Sequence, residues 1–169
     1  LAFAYKENAF LKENEIQDDL VLVGIASIRD DVRPEAAAAI HEVQGAGIQV
    51  VMITGDRKET AVAIAKEAGL LGENAAILTE ENKAELLEKY KSTTTSTDKD
   101  GIALTSQMLN TLSDDEVKIL VSGIRVIARA LPTDKSRMVR ICQEMNLVVG
   151  MTGDGVNDSP ALKRADVGF

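Results

Sequence analysis

Runs of consecutive apolar residues alternate along the chain with amphipathic segments, and this alternation predicts the main elements. An apolar run of four to nine residues without alternation predicts a strand that is buried on both faces. Predominantly apolar runs of this kind lie at residues 20–28, 48–53, 124–129 and 147–151, although Gln49, Arg125 and Arg129 fall within them. Segments with apolar residues three and four positions apart come between or after these runs, and they predict helices.

Local sequence signals set the ends of the predicted helices. Pro34 suits the first turn of a helix, and Gly69 is typical of a helix end. Ser113 followed by Glu116 forms the capping pattern that begins a helix, and the last long helix is predicted at 130–145, with Pro132, Thr133 and Lys135 at its entry. The order of strands and helices predicts an α/β protein with a parallel, Rossmann-like sheet that is covered by helices on both faces.

Polar residues follow three of the predicted strands. Thr-Gly-Asp occupies 54–56, Arg129 precedes a segment that ends at Lys135, and a glycine-rich acidic stretch occupies 152–158. Ligands of parallel sheets bind at the carboxyl ends of the strands. We therefore expect Thr54, Lys135 and Asp154 to lie at one edge of the sheet.

These residues have the chemistry of a phosphoryl site. The carboxylates of Asp154 and Asp158 suit Mg²⁺, which takes one or two protein carboxylates together with waters and phosphate oxygens. Thr54 offers a hydroxyl group and Gly55 an unobstructed backbone amide. Lys135 supplies a positive charge against which a phosphoryl group can develop negative charge.

Composition narrows the possible functions. Hydrophobic residues make up 45% of the chain and charged residues 27%, which is an ordinary globular balance. The net charge of -8 lacks the positive surface of a nucleic-acid-binding protein, so we expect no nucleic-acid partner. Cys142 is the single cysteine and is expected to be a packed thiol. No apolar run approaches the ~18 residues that span a bilayer.

The motifs themselves indicate a family. The segments MITGD, ARALPTDKS and MTGDGVNDSPALKRADVGF resemble, in order and spacing, the strand-end motifs of P-type cation-transporting ATPases. The resemblance covers roughly residues 20–169 and is closest to the calcium-pump branch. It implies the later part of the phosphorylation domain, which has the haloacid dehalogenase-like fold.

The resemblance implies roles for individual residues, with Mg²⁺ and ATP as cofactors. Asp154 would bind Mg²⁺, and Asp158 and Asn157 would organise the metal site and the phosphoryl oxygens. Thr54, Gly55 and Lys135 would hold the phosphoryl group. The residues that would line the approach of the nucleotide and the hinge are Asp56, Arg129, Asp30 and Arg33.

The resemblance also implies that this chain is a fragment. The nucleophile of the family is an Asp in an Asp-Lys-Thr-Gly-Thr segment, and residues 1–169 contain no such segment. Residues 1–19 would be a strand and linker that return from an absent nucleotide-binding domain, and 20–169 would be the phosphorylation domain without its first strand. The chain begins without Met and ends after a strand-like run, which agrees with a piece of a longer protein.

The implied partners are the nucleotide-binding, actuator and membrane domains of the same pump, with the transported cation bound elsewhere. The parent would be a multi-pass membrane protein with this domain on the cytoplasmic side. The isolated chain is expected to be inactive.

Two other functions stay open from the sequence. A soluble phosphatase of the same fold would also end a strand in Gly-Asp-Gly-x-Asn-Asp, but it should carry an Asp-x-Asp loop near its N-terminus, and residues 1–31 contain none. A binding module that lost its nucleophile would keep a phosphate-sized pocket.

Overall fold

The computed structural model describes residues 1–6, 20–26, 31–92, 100–153 and 158–169. The chain divides into two compact units, Leu1–Asp31 and Val32–Phe169. The domain division that we predict at residue 20 stays a prediction. Among the described residues, no helix is both long enough and apolar enough to cross a membrane.

The first unit contains an antiparallel pair of strands, β1 (Ala2–Tyr5) and β2 (Val21–Ile25). The amino terminus of Leu1 donates a hydrogen bond to the carbonyl oxygen of Ala26 at 2.7 Å, which closes the open end of the pair. Our prediction of a buried strand at 20–28 is wrong in burial and in pairing at residues 20–26, the part of it that the structure describes. Val23 and Ile25 are 68% and 77% exposed, because β2 pairs with β1 and not with the parallel sheet.

The second unit contains a four-stranded parallel sheet. Its strands are β3 (Met52–Ile53), β4 (Ala76–Ile77), β5 (Ile102–Thr105) and β6 (Ile124–Ala128), in the order β3-β6-β5-β4. Two further strands, β7 (Gly150–Met151) and β8 (Val167–Gly168), pair in parallel with each other as a separate sheet. The sheet is therefore parallel as predicted, but it is divided in two.

Seven helices are present in the described part of the second unit. They are α1 (Pro34–Gly45), α2 (Lys58–Glu67), α3 (Lys83–Lys91), α4 (Ser106–Thr111), α5 (Asp114–Leu120), α6 (Pro132–Glu144) and α7 (Ser159–Arg164). The predicted capping box of α5 is present, since Ser113 Oγ accepts from the backbone of Glu116 and the Glu116 side chain accepts from the backbone of Ser113.

The central strands β5 and β6 bury different residues on their two faces. Ile102 and Ile127 pack in a core with α3, α4, α5 and α6, whereas Ala103 and Val126 pack against α2. Small residues on the second face allow α2 to lie close to the sheet. The pairing register of β6 shifts by one residue at Arg125, and this bulge reverses the alternation of its side chains.

Two other predictions need correction. The predicted strands at 48–53 and 147–151 shorten to β3 and β7, and the side chains at 50–53 are only half-buried because β3 lies at an edge of its sheet. The sequence patterns did not reveal β4 or β5. β5 is the most deeply buried of the missed elements, since three of its four residues are buried.

Candidate functional site

A cleft of about 540 Å³ lies where β3 and β7 end. Ile53, Thr54 and Gly55 line it from the end of β3, and Thr152 and Gly153 line it from the end of β7. Lys135 and Asp158 complete the lining. The cleft therefore brings together residues that are far apart in the sequence. Two of its three lining segments follow parallel strands, as expected for a site at the carboxyl ends of strands.

Lys135 and Asp158 form a largely buried ion pair in this cleft. Lys135 Nζ donates to Asp158 Oδ1 at 2.6 Å, and the two side chains are 17% and 8% exposed. Lys135 comes from the first turn of α6, and Asp158 is the residue immediately before α7. The pair places a cation and a carboxylate side by side in the lining of the cleft, so that each holds the other in position.

Two glycines at the strand ends differ in the space around them. A methyl group at Gly153 would lie 2.7 Å from both Cβ and Oδ2 of Asp158, whereas a methyl group at Gly55 would have no atom within 4 Å. Gly153 is therefore required by the close approach of the Asp158 side chain. Gly55 instead leaves open space at the end of β3.

Thr54 and Asp56 form a local hydrogen-bonded turn. Thr54 Oγ1 donates to Asp56 Oδ2 at 3.0 Å and accepts from the backbone N–H of Asp56 at 3.1 Å. The backbone N–H of Arg129 donates to the Asp56 carbonyl oxygen, which joins the turn to the end of β6. Arg129 has a left-handed backbone with φ of 55°, an uncommon conformation for a residue with a side chain, and it is exposed.

The structure thus brings Thr54, Gly55, Lys135 and Asp158 together in one cleft. Arg33 is exposed immediately before α1 and is not one of the cleft-lining residues. Three predicted site residues, Asp30, Asp154 and Asn157, lie outside the described residues. Within the described ranges, no group of three His, Cys, Asp or Glu side chains forms a metal site.

One buried polar cluster, next to Lys135 in the sequence, was not predicted. Asp134 is 2% exposed, and its Oδ2 accepts from Ser106 Oγ at 2.6 Å. Asp134 is the third residue of α6, a position where an acidic side chain commonly bonds to the start of its own helix. This position in the helix is the signal in the sequence from which the role of Asp134 could have been predicted.

Comparisons with known proteins identify the family. Residues 2–166 match the haloacid dehalogenase-like hydrolases. Over its whole length the chain is 38% identical to calcium-transporting ATPase 1 of Lactococcus lactis and 40% identical to a probable plasma membrane-type calcium-transporting ATPase 6 of Oryza sativa. Over 91% of its length it is 40% identical to a calcium-transporting ATPase of Bacillus subtilis.

The chain spans only 14 to 17% of the length of these relatives. The resemblance seen in the motifs is therefore confirmed along the whole chain, and it concerns one segment of each relative. With a family match over residues 2–166 and a parallel sheet flanked by helices, this chain belongs to the haloacid dehalogenase-like hydrolases.

Proposed function

We propose that this chain is the segment of an ATP-driven calcium pump that holds the phosphoryl group and Mg²⁺ while an aspartyl-phosphate forms and is hydrolysed. The observation that carries the proposal is the cleft in which Thr54, Gly55, Lys135 and Asp158 meet. The names of the relatives supply the transport reaction, since three of them are calcium-transporting ATPases. None of these three names describes a phosphatase, so we favour a calcium pump over a soluble phosphatase.

The nucleophile belongs to a strand outside this chain. In the described part of the chain, β3 pairs only with β6, and β7 pairs only with β8. Both free edges belong to parallel strands whose carboxyl ends line the same cleft. A parallel strand between β3 and β7 would deliver its last residue into the cleft beside Lys135. An Asp at that position would attack the γ-phosphorus of ATP and become the phosphorylated residue.

The cleft residues have distinct tasks in this reaction. Lys135 neutralises charge on the phosphoryl oxygens, and Asp158 holds the ammonium group of Lys135 in place. The Thr54 hydroxyl group, now bonded to Asp56, can turn to donate to a phosphoryl oxygen. Gly55 lets the phosphoryl group approach the backbone, because no atom occupies the space above it.

The donor set of the site fits Mg²⁺. The available groups are oxygens, which hard cations prefer, and Mg²⁺ needs only one or two protein carboxylates. Asp158 already bonds to Lys135, so a second carboxylate is required, and Asp154, which precedes Asp158 in the sequence, would provide it, with Asn157 as a further oxygen donor. Bound Mg²⁺ would draw charge from the phosphoryl oxygens.

The remaining assignments concern the longer protein. Asp56 and Arg129 face the approach of ATP, and Asp30 and Arg33 form the hinge towards a nucleotide-binding domain. The actuator and membrane domains of the same pump are the other partners, and the transported ion binds in the membrane part. This segment would then lie on the cytoplasmic side.

Acid-stable labelling with radioactive ATP tests the proposal. The isolated 169-residue chain, incubated with Mg²⁺ and ATP labelled at the γ-phosphate, should take up no label because it lacks the nucleophile. The longer protein should be labelled, and Asp154→Asn or Lys135→Ala should slow labelling by about 10²-fold or more, which is the usual cost of removing one preorganised charge.

Matched variants away from the cleft control for loss of charge. Asp115→Asn on α5 and Lys91→Ala on α3 remove the same charges from exposed positions and should leave the labelling rate unchanged. Label on the isolated chain would show that its nucleophile lies within residues 1–169. Full-rate labelling of the Asp154→Asn protein would show that the loop holds no catalytic metal.

A further inference from the structure

The start of α6 carries Lys135 but has no ordinary cap. Leu131 precedes the helix and has no side-chain acceptor, and Pro132 is its first residue. The free backbone N–H groups at a helix start need partners, and a side chain of the preceding residue usually supplies one. The conformation of this first turn must therefore be fixed by another group.

Asp134 is that group. Its Oδ2 accepts from the backbone N–H of Leu131 at 2.8 Å, and its own backbone N–H donates to the Leu131 carbonyl oxygen at 3.0 Å. The side chain turns back onto the residue before the helix and is buried there, with 2% exposure. Since Lys135 is the next residue, these two bonds fix the backbone from which the Lys135 side chain extends.

A second element anchors Asp134 from the opposite side. Ser106 is the first residue of α4, directly after the central strand β5, and its Oγ donates to Asp134 Oδ2 at 2.6 Å. Asn110 Nδ2 donates to the Ser106 carbonyl oxygen at 2.9 Å and lies 3.4 Å from Asp134 Oδ1. Hydrogen bonds therefore run without interruption from the end of β5 to the turn before α6.

We propose that Asp134, held by Ser106, is a positioning residue that sets the place of Lys135 in the cleft. The effect on catalysis rests on the proposed function, but the effect on the position of Lys135 is independent of it. Asp134 itself is not one of the residues that line the cleft. It acts through the first turn of α6, and Lys135 then meets Asp158 at 2.6 Å.

Substitution of Asp134 separates position from charge. Asp134→Ala removes the acceptor of both the Leu131 N–H and the Ser106 hydroxyl group, and the Ser106 hydroxyl group is then buried without one. Asp134→Asn removes the charge but keeps one oxygen, and a single oxygen is sufficient because both strong donors meet at Oδ2. Only the weaker contact of Asn110 Nδ2 with Asp134 Oδ1, at 3.4 Å, is lost, because Asn110 keeps its bond to the Ser106 carbonyl oxygen. The Asn variant should therefore rescue what the Ala variant loses.

The first measurement follows the Lys135 side chain directly. In the 169-residue chain, the ε-methylene resonance of Lys135 is identified by its loss in Lys135→Arg. In Asp134→Ala this resonance should move towards that of an exposed lysine such as Lys91, and in Asp134→Asn it should stay. Ser106→Ala is a milder variant that should produce a partial shift if the Ala variant at 134 does not fold.

The second measurement follows labelling in the longer protein. Asp134→Ala should lower the labelling rate at saturating ATP by about 10-fold to 100-fold, the effect expected when a charge is misplaced by about 1 Å. The KM for ATP should change by no more than about twofold, because the lost interaction belongs to the transition state. Asp134→Asn should restore most of the rate.

Asp114→Ala is the matched control. Asp114 bonds to Arg137 and Arg140 in the middle of α6, so its loss should lower Tm without moving the Lys135 resonance or the labelling rate. Equal effects of the Ala variants at 114 and 134, or an unmoved resonance in Asp134→Ala, would overturn the inference. Absence of labelling in the unmodified longer protein would overturn the proposed function alone, since the resonance still reports the position of Lys135.

Discussion

Replacement of Gly153 by Ala should lower the free energy of unfolding, whereas the same replacement at Gly55 should not. Both glycines follow a parallel strand and line the same cleft. A methyl group at Gly153 would lie 2.7 Å from two atoms of the Asp158 side chain, closer than carbon and oxygen atoms tolerate. Asp158 must then move, and its ion pair with Lys135 must stretch or break.

The expected size of the effect comes from packing. Forcing one extra methyl group into a filled site costs about 1 to 3 kcal/mol. At Gly55 the space is open and the backbone does not have a positive φ, so Ala should raise the free energy of unfolding by about 0.5 kcal/mol through the unfolded chain. The free energies of unfolding of the two variants should therefore differ by about 1.5 to 3.5 kcal/mol.

Urea titration measures the difference. The chain has no Trp and two Tyr, and Tyr90 is buried at 4% exposure in the second unit. In a Tyr5→Phe background, tyrosine fluorescence therefore reports that unit alone. Equal midpoints for Gly55→Ala and Gly153→Ala would refute the reasoning, because it would mean that Asp158 does not approach residue 153. In the longer protein, Gly55→Ala should slow labelling although it folds normally.

Three further results are expected from the isolated chain. Lys135→Met or Asp158→Asn alone should each lower the free energy of unfolding by about 3 kcal/mol, because a buried charge loses its partner. The double variant should lose much less than the sum in urea titration, and strict additivity would contradict the pair. The Arg140 guanidinium beside Asp114 lowers the pKa of the Asp114 carboxyl group below its ordinary 3.8. The ionised Asp114 therefore stabilises the fold fully above pH 3.8, and this stabilisation is lost as the pH falls through the lowered pKa. Asp114→Asn should flatten this acid dependence of Tm, and an unchanged slope would count against it. Burial raises the pKa of the Cys142 thiol, so a disulfide reagent at pH 8 should react slowly with the native chain and rapidly in urea, and equal rates would contradict its packing.

The cleft was easier to predict from sequence than the sheet around it. Thr54, Lys135 and Asp158 follow or neighbour apolar runs, and the ends of parallel strands meet at one edge, so their meeting depends on topology alone. β5 was missed because only four residues form it and its Ile-Ala-Leu-Thr sequence is too short for a period to be seen. Its burial comes from partners distant in sequence.

The error at β2 has a different cause. An apolar run indicates that a strand can be buried on both faces, but it does not indicate which elements pack against those faces. Val21–Ile25 has that composition, yet it pairs with β1 and remains exposed. Asp134 was missed for a related reason, since its importance depends on Ser106, which lies 28 residues away and reaches it only in the folded chain.

Both parts of the parallel sheet contain apolar residues that are less buried than their sequence predicts. The residues at 50–53 are apolar on both faces, as in an interior strand, but they are only half-buried. Val148, just before β7, is apolar and 84% exposed. Burial of apolar surface contributes about 25 cal/mol per Å², so a strand that covered both edges would stabilise the sheet substantially. The same strand would end in the cleft, and one addition would thus complete both the core and the proposed phosphoryl site. This coincidence of packing and chemistry supports the proposal that the nucleophile arrives on a strand from elsewhere in the longer protein.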